Sequence, residues 1–311
     1  MNQMNRIIAL RTLALLILAC ALGDSAFAQT RVRLVAGNLS TGNFQSYDNG
    51  EGARIFKGLK PDVAMIQEFN YGDNSPAVLD GWVTSTFGAN AHYKRGMTAQ
   101  IPNGVISATY PIIESGEWTD PQVDNRDFVW ARIDIPGDHN LWAISVHMLT
   151  TASKRPPEGV AIHDFIVARV PAEDYVVIGG DFNTKSRTET ILNNISSVVV
   201  IAGPYPTDGR GLSSSENTNA SRAEPYDLVL VESDLNAFQV PVLIGAKSFT
   251  GGLVFDSRVY TPLADVAPVL SGDSGAPSMQ HMAIVKDFMI PSSTTTPTPT
   301  PIPIPDGFVV E

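Results

Sequence analysis

The sequence predicts an α/β fold, a four-layer αββα sandwich of two packed mixed sheets flanked by helices. Short apolar or β-branched runs alternate with turns rich in Gly, Pro, Asn and Asp over residues 29–290. Fewer segments have helical spacing, and the two clearest each precede one of the strongest strand patterns. Many strands with few helices between them favour two sheets packed face to face, with the helices outside.

Eight strand segments support this prediction. Each is an apolar or β-branched run that is bounded by turn residues, which is typical of a buried strand. In chain order they are residues 31–37, 63–67, 103–107, 128–134, 141–147, 175–179, 227–231 and 282–288. Apolar residues at i, i+3 and i+4 predict helices at 52–59 and 159–170.

The first 28 residues have the pattern of an export signal. Arg6 and Arg11 precede a short apolar stretch, and small residues end the segment at Ala28, the expected cleavage point. The stretch is too short for a convincing membrane anchor, so a secreted or periplasmic protein is expected, without a transmembrane segment in the mature chain. Cys20 is the only cysteine and would leave with the signal, although a lipoprotein attached through Cys20 is an alternative.

The rest of the chain is predicted to form one domain and a tail. Residues 29–290 are long for a single domain but within its range. Residues 291–311 are rich in Thr and Pro, a composition that favours extended polyproline conformations over a packed core. They are therefore expected to be a linker or tail. The sequence leaves the oligomeric state open, and a monomer is the expectation.

The most informative polar pattern follows the strand at 175–179. Two glycines come next, and then Asp181, Phe182 and Asn183. Because side chains alternate along an extended chain, the carboxylate and the amide should share one side while Phe182 enters the core. The glycines are expected to let the backbone turn tightly at the strand end. An acceptor beside an amide donor suits a phosphate and an attacking water, whereas an Asx-type turn is the structural alternative.

Other polar residues stand at strand ends in the same way. Each alone has an ordinary explanation, such as a turn or a satisfied core histidine, but together they indicate one site. They are Asn38, Glu68, His147, Asp227 and His281. A metal ion can neutralise an anionic phosphodiester, a carboxylate can take a proton from water, and a histidine held by a carboxylate can donate one. Glu and Asn oxygens suit Mg²⁺, Mn²⁺ or Ca²⁺ better than zinc.

The order of these segments resembles the endonuclease/exonuclease/phosphatase family, which has the deoxyribonuclease I-like fold. The resemblance runs from about residue 31 to residue 288, nearly the whole mature chain. It is carried by Gly37-Asn38, Ile66-Gln67-Glu68, Asn103-Gly104-Val105-Ile106-Ser107, Ser145-Val146-His147, Gly180-Asp181-Phe182-Asn183, Tyr226-Asp227 and His281. The fold of that family is the four-layer sandwich.

The resemblance also implies roles for individual residues. Glu68 would be the principal ligand of a divalent cation, with Asn38 nearby. Asp181 would hold or deprotonate the attacking water, and Asn183 would contact the scissile phosphate, with Asn103 as a further member of the site.

The remaining implied roles concern proton transfer and charge. His281, hydrogen-bonded to Asp227, would stabilise the phosphorane or move a proton. His147 would hydrogen-bond the phosphate or act as general acid. The family has aspartate before the last histidine, but this chain has Gln280. The missing charge favours one firmly bound metal ion over two, although Asp273 could substitute and Gln280 could still hydrogen-bond a phosphate oxygen.

Composition and resemblance together favour a metal-dependent phosphodiester hydrolase, a nuclease that acts on DNA or RNA. A net charge of −11 opposes binding of DNA by broad counterion release, so local contacts through the metal and through Arg126 and Arg222 are expected. One alternative is a sphingomyelinase-type phospholipase C or another phosphoesterase, but no run of aromatics suggests a lipid-binding hairpin. A non-catalytic binding protein that kept the fold is the third possibility.

Overall fold

A computed structural model of the protein describes residues 29–42, 49–97 and 100–291. The predicted signal segment and nearly all of the predicted tail lie outside the described residues. In chain order the strands are β1 (Gln29–Asn38), β2 (Val63–Gln67), β3 (His92–Arg95), β4 (Gly104–Ser107), β5 (Ile112–Trp118), β6 (Phe128–Ile133), β7 (Leu141–His147), β8 (Tyr175–Asp181), β9 (Asp227–Val231), β10 (Gln239–Val240), β11 (Val242–Ile244), β12 (Lys247–Phe249), β13 (Leu253–Phe255) and β14 (Ala283–Pro291).

The helices are fewer, as the sequence predicts. They are α1 (Glu51–Leu59), α2 (Pro76–Phe87), α3 (Arg155–Arg169), α4 (Thr190–Ile195) and α5 (Ser233–Asn236). Helix α1 ends where Lys60 adopts a left-handed conformation (φ 51°) and its N–H donates to the Phe56 carbonyl. Helix α3 begins four residues before the predicted start, since two prolines are tolerated in a first turn. In the described residues, no helix has the length and apolarity to span a membrane.

The strands form two mixed sheets. The first has the order β10-β14-β1-β2-β4-β3, with β13 also paired to β14, and the second has the order β5-β6-β7-β8-β9. The pairs β1–β2 and β7–β8 are parallel, and the other pairs are antiparallel. Strands β11 and β12 make a separate hairpin.

Three apolar layers hold the molecule together. The central layer lies between the sheets and includes Leu34, Met65, Ala143 and Val177. A second layer packs α1 and α2 on the outer face of the first sheet, and a third packs α3 and α4 on the outer face of the second. The αββα sandwich is therefore confirmed.

Strand direction brings the polar strand ends to one edge. In each parallel pair the last residues lie side by side, so Asn38 pairs with Gln67 and His147 with Asp181. Strand β9 runs the opposite way, so its first residue, Asp227, pairs with Asp181. Strand β14 is antiparallel to β1 and likewise begins at this edge. The topology thus gathers residues far apart in sequence.

The two glycines before Asp181 do not make the expected turn, because both lie inside β8. A Cβ at Gly179 would stand 2.5 Å from the Met65 sulfur on the facing sheet. A Cβ at Gly180, which has φ +148°, would stand 2.1 Å from the Val146 carbonyl and 2.7 Å from Gln67 Nε2. The glycines are therefore needed for close approach of the strands rather than for a turn.

Candidate active site

The polar strand ends meet in a chain of contacts that centres on Asp181. Asn38 Nδ2 donates to Glu68 Oε1 (3.1 Å) and to Asp181 Oδ2 (3.2 Å). His147 Nε2 lies 3.2 Å and His281 Nε2 lies 3.5 Å from the same Asp181 oxygen. The structure therefore brings these five predicted residues into one cluster, in which Glu68 is half-buried and the other four are buried.

His281 also contacts a second carboxylate. Its Nδ1 lies 3.0 Å from Asp227 Oδ2, and both side chains are nearly inaccessible. The backbone N–H of Asp227 donates to Thr218 Oγ1 (2.7 Å), which fixes the start of β9. The imidazole therefore has one nitrogen held by Asp227 while the other faces Asp181.

Backbone groups hold Glu68 in place. The Gly42 N–H donates to Glu68 Oε2 (2.7 Å), and the Thr41 hydroxyl donates to the Glu68 carbonyl. Glu68 has φ 53°, a left-handed conformation that is uncommon for a residue other than glycine. The loop after β1 thus fixes the carboxylate that follows β2.

Opposite charges stabilise each other inside the cluster. Burial would raise the pKa of Asp181, but the positive charges of His281 and His147 lower it to about 2. Burial disfavours a charged His281, but Asp227 and Asp181 raise its pKa to about 10. At neutral pH, Asp181 is therefore a carboxylate and His281 an imidazolium.

Several buried polar atoms at this edge have no hydrogen-bond partner among the described residues. They include His147 Nδ1, Asp227 Oδ1 and Asn103 Oδ1. Unpaired buried polar atoms are rare because each costs free energy, and they are therefore candidates for contacts with a ligand or water.

Asn183 and Asn103 border the cluster. The Asn183 N–H donates to Asp181 Oδ1 (2.9 Å), and its side-chain amide donates to the Met148 carbonyl (2.9 Å). The Asn103 amide donates to the Asp127 carbonyl (2.7 Å). Phe182 is fully buried, as the alternation predicts. The structure thus places both amides at the edge where the polar strand ends meet, each anchored by one backbone carbonyl.

Arg126 is half-buried and feels the charge of several acids. Burial lowers its pKa, while the charges of Asp181, Glu68, Glu158 and Asp120 oppose that effect. Its Nε donates to Asn125 Oδ1 (3.1 Å). Arg126 therefore supplies positive charge near the cluster, as a contact for an anionic substrate requires.

Arg222 lies in a different environment from the one expected. It is 8% exposed, and its guanidinium contacts Asp208 (2.8 Å) and Asp256 (2.9 Å). Its Nε donates to the Asn217 carbonyl. These contacts hold the loop 203–225 together, and they engage the guanidinium for which a contact with substrate is expected.

Gln280 and Asp273 bear on the number of metal ions. Gln280 is exposed, and its backbone N–H donates to Ser40 Oγ (3.0 Å). Asp273 is buried and accepts from Arg54 on α1 (2.7 Å). It is therefore committed to an ion pair, so it does not replace the aspartate that Gln280 displaces.

A polar bridge between the sheets was not predicted from the sequence. Gln67 Nε2 donates to Ser145 Oγ (2.9 Å), and Ser145 Oγ donates to the Ile66 carbonyl (2.8 Å). Both side chains are fully buried. A polar residue inside the apolar runs at 63–67 and 141–147 was the available signal. The bridge sets the distance between the strands that carry Glu68 and His147.

Cavity volume alone would place a functional site elsewhere on the molecule. A surface cavity of about 780 Å³ is lined by Tyr175, Glu232 and Phe238, at the opposite end of β8 from Asp181. It contains none of the predicted site residues. Chemistry at the strand ends, rather than cavity size, therefore defines the candidate site.

The donor set at the cluster fits a hard divalent cation. Glu68 and Asp181 offer carboxylate oxygens of the kind that Mg²⁺, Mn²⁺ or Ca²⁺ prefer. The Asn38 oxygen instead accepts from the Ser40 N–H (2.8 Å), and the Asn38 amide nitrogen faces the two carboxylates. Ligand atoms of Asp181, Asp227 and His281 also lie within 4.8 Å of one another, so this buried group could hold an ion. Because His281 Nδ1 already contacts Asp227, the oxygen-rich side at Glu68 suits such an ion better.

Comparison with solved structures shows the fold. An endonuclease/exonuclease/phosphatase from Beutenbergia cavernae matches with a TM-score of 0.52 and 15% identity over 84% of this chain and 72% of that one. The human Nocturnin catalytic domain with bound sulfate matches with a TM-score of 0.54 and 12% identity over 84% and 97%. Truncated TDP2 from Caenorhabditis elegans matches with 0.51 and 13% over 83% and 98%.

These matches show that the chain has the endonuclease/exonuclease/phosphatase fold, so the resemblance read from its strand-end motifs is confirmed at the level of the fold. No family model and no curated protein matches the sequence.

Proposed function

We propose that this protein is a divalent-metal-dependent phosphodiester hydrolase that acts on nucleic acid. The observation that carries the proposal is the contact chain from Glu68 through Asn38 to Asp181, with two histidines on the same Asp181 oxygen. It combines oxygen ligands for a cation with groups that accept and donate protons. Phosphodiester hydrolysis needs both functions.

In this proposal, Glu68 holds the cation, which neutralises phosphate charge when bound, and Asn38 holds the Glu68 carboxylate in place through its amide N–H. One firmly bound ion is favoured, because Gln280 lacks a carboxylate and Asp273 is paired with Arg54. A second ion would need a carboxylate at one of these two positions.

The chain's own groups then position water and phosphate. Asp181, ionised over a wide pH range, accepts a hydrogen bond from the attacking water and orients it. His281, kept positive by Asp227 and Asp181, donates to a phosphate oxygen as negative charge accumulates there. His147 is the donor to the leaving oxygen, while Asn183, Asn103 and Arg126 contact the remaining phosphate oxygens.

The substrate class rests on chemistry and on the structural neighbours. One neighbour is an endonuclease/exonuclease/phosphatase by its description, and another holds a sulfate anion. Both support an anionic ester as substrate. We further propose export from the cytoplasm, for which the N-terminal pattern of charge, apolar stretch and small residues is the support.

A substrate panel tests the proposal. Purified mature protein is incubated with plasmid DNA, RNA, sphingomyelin vesicles and bis(p-nitrophenyl) phosphate, with Mg²⁺ or with excess chelator. Cleavage of a nucleic acid that requires Mg²⁺ is the expected result. Cleavage of sphingomyelin alone would support the phospholipase alternative, and no turnover on any ester would support a binding protein.

A further inference from the structure

A small cavity that Asp227 also borders is lined by two cationic side chains. Lys286 on β14 and Arg187 before α4 line a space of about 10 Å³, together with Tyr205 and residues 228–230 of β9. That volume is roughly the room for one water-sized species. The cavity therefore suits a single small occupant.

Lys286 is buried without a counter-charge. It is 7% exposed, and its stem is so close to Gly252 that a Cβ there would stand 3.1 Å from Lys286 Cγ. Within the described ranges, the amine makes no ion pair and no hydrogen bond. An isolated buried ammonium is costly unless an anion compensates it.

Arg187 adds to the positive charge of the same space. Its guanidinium lies 4.0 Å from the centre of the Tyr205 ring, and its Nε is 3.7 Å from Glu216 Oε2, an acid whose side chain is 42% exposed. Burial and the charge of Arg187 lower the pKa of Lys286 to about 8. Lys286 is therefore still mainly charged at pH 7.

One acid, Asp227, also borders the cavity. Its Oδ2 contacts His281 Nδ1 at 3.0 Å, so its charge is paired with His281 and not with Lys286, although its Oδ1 has no hydrogen-bond partner among the described residues. Among the described residues, Arg187 therefore has one ion-pair partner, the partly exposed Glu216, and Lys286 has none. We propose that the cavity binds one small monovalent inorganic anion, such as chloride, between Lys286 and Arg187.

Thermal unfolding in a chloride series tests this proposal. Ionic strength is kept constant with sodium glutamate, whose anion is too large for the cavity. Above the dissociation constant, each tenfold rise in chloride should raise the Tm of the wild-type chain by roughly 3–5 °C. Lys286→Met should abolish the rise, and Lys154→Met, which removes an exposed lysine, should retain it.

Diffraction from a wild-type crystal soaked in bromide gives an independent test, which also applies if Lys286→Met does not fold. An anomalous peak beside the Lys286 amine and the Arg187 guanidinium is the expected result. Parallel chloride curves for wild type and Lys286→Met, or a soaked crystal without that peak, would overturn the proposal.

Discussion

Two buried ionic clusters in this molecule look alike in composition but differ in how their charges are matched. The catalytic-edge cluster comprises Asn38, Glu68, His147, Asp181, Asp227 and His281. The arginine cluster comprises Asp208, Arg210, Arg222, Asp256 and Arg258, and it holds the loop 203–225 against the segment that follows β13. Each combines nearly inaccessible carboxylates with cationic or titratable partners.

In the arginine cluster each carboxylate meets two guanidiniums. Asp208 contacts Arg210 and Arg222, and Asp256 contacts Arg222 and Arg258, at 2.6–2.9 Å. Burial would raise the pKa of Asp208, but these arginines and neighbouring hydrogen bonds lower it to about 2. The charges are paired by groups that stay protonated at any ordinary pH.

In the catalytic-edge cluster the pairing is incomplete. In the part of the chain that the structure describes, no lysine or arginine makes an ion pair with Glu68, Asp181 or Asp227, and Asp227 Oδ1 and His147 Nδ1 lack partners. Backbone strain does not separate the clusters, since Arg222 (φ 57°) and Glu68 (φ 53°) are both left-handed. Unmatched charge and unpaired atoms, rather than burial or strain, distinguish the candidate site.

The largest expected effect falls on the arginine cluster. Arg222→Met leaves two buried carboxylates short of a partner, so unfolding free energy should fall by roughly 3–5 kcal/mol. Urea denaturation measures the loss, and Arg169→Met, at an exposed position, is the control. If Arg222→Met is as stable as wild type but binds substrate more weakly, the result would instead support a contact between Arg222 and substrate.

The dyad of the catalytic edge should respond in the opposite way. Asp227→Asn and His281→Ala should each reduce turnover roughly 100-fold or more, the scale of acid–base assistance. The double variant should lose little more, because residues that act as one unit are not additive. As a control, the same substitutions in the exposed pair of His163 and Asp164 should leave turnover at the wild-type level. Additive losses at Asp227 and His281 would contradict a coupled dyad.

A smaller effect concerns Glu158 and Asp120, two acids whose charges act on Arg126. Burial and the charge of Asp120 raise the pKa of Glu158 to about 8, above its unfolded value. The folded state therefore binds the extra proton, and this contribution to stability is lost as pH rises from about 5 to 8, with a slope of at most about 1.4 kcal/mol per pH unit. Glu158→Gln should reduce that slope in urea denaturation, and the exposed Glu114→Gln should not. If the unfolding free energy of Glu158→Gln depends on pH as steeply as that of wild type, Glu158 is not the cause of the slope.

The smallest effect on stability is expected at Gln280. Gln280→Asp adds a carboxylate at an exposed position beside the cluster, so stability should change by no more than about 0.5 kcal/mol. The Mg²⁺ concentration needed for turnover should shift, because a second cation gains a ligand. If Gln280→Asp needs the same Mg²⁺ concentration as wild type, the residue at position 280 no longer supports one bound ion over two.

The sequence predicts the strands well because burial on both faces leaves long apolar runs. It misses β3 and β5, whose residues are mostly exposed or partly exposed, and the short strands β10, β11, β12 and β13. It also misses α2, α4 and α5. It places Gly179 and Gly180 in a turn, because only the folded structure shows how closely these glycines approach Met65 and Gln67. Strand-end polarity indicates the site residues. The ion-pair partners of Arg222, Asp208 and Asp256, are 14 and 34 residues away in sequence. No local sequence pattern therefore predicts that they neutralise its charge.

The central claim is that the catalytic-edge cluster hydrolyses phosphodiesters with a cation held at Glu68. The most direct measurement is Mg²⁺ binding by calorimetry beside turnover of the best substrate, for wild type and Glu68→Gln. The account predicts that binding and turnover share one Mg²⁺ midpoint in wild type and are weakened together in Glu68→Gln. Full turnover of the wild-type protein in excess chelator would contradict it.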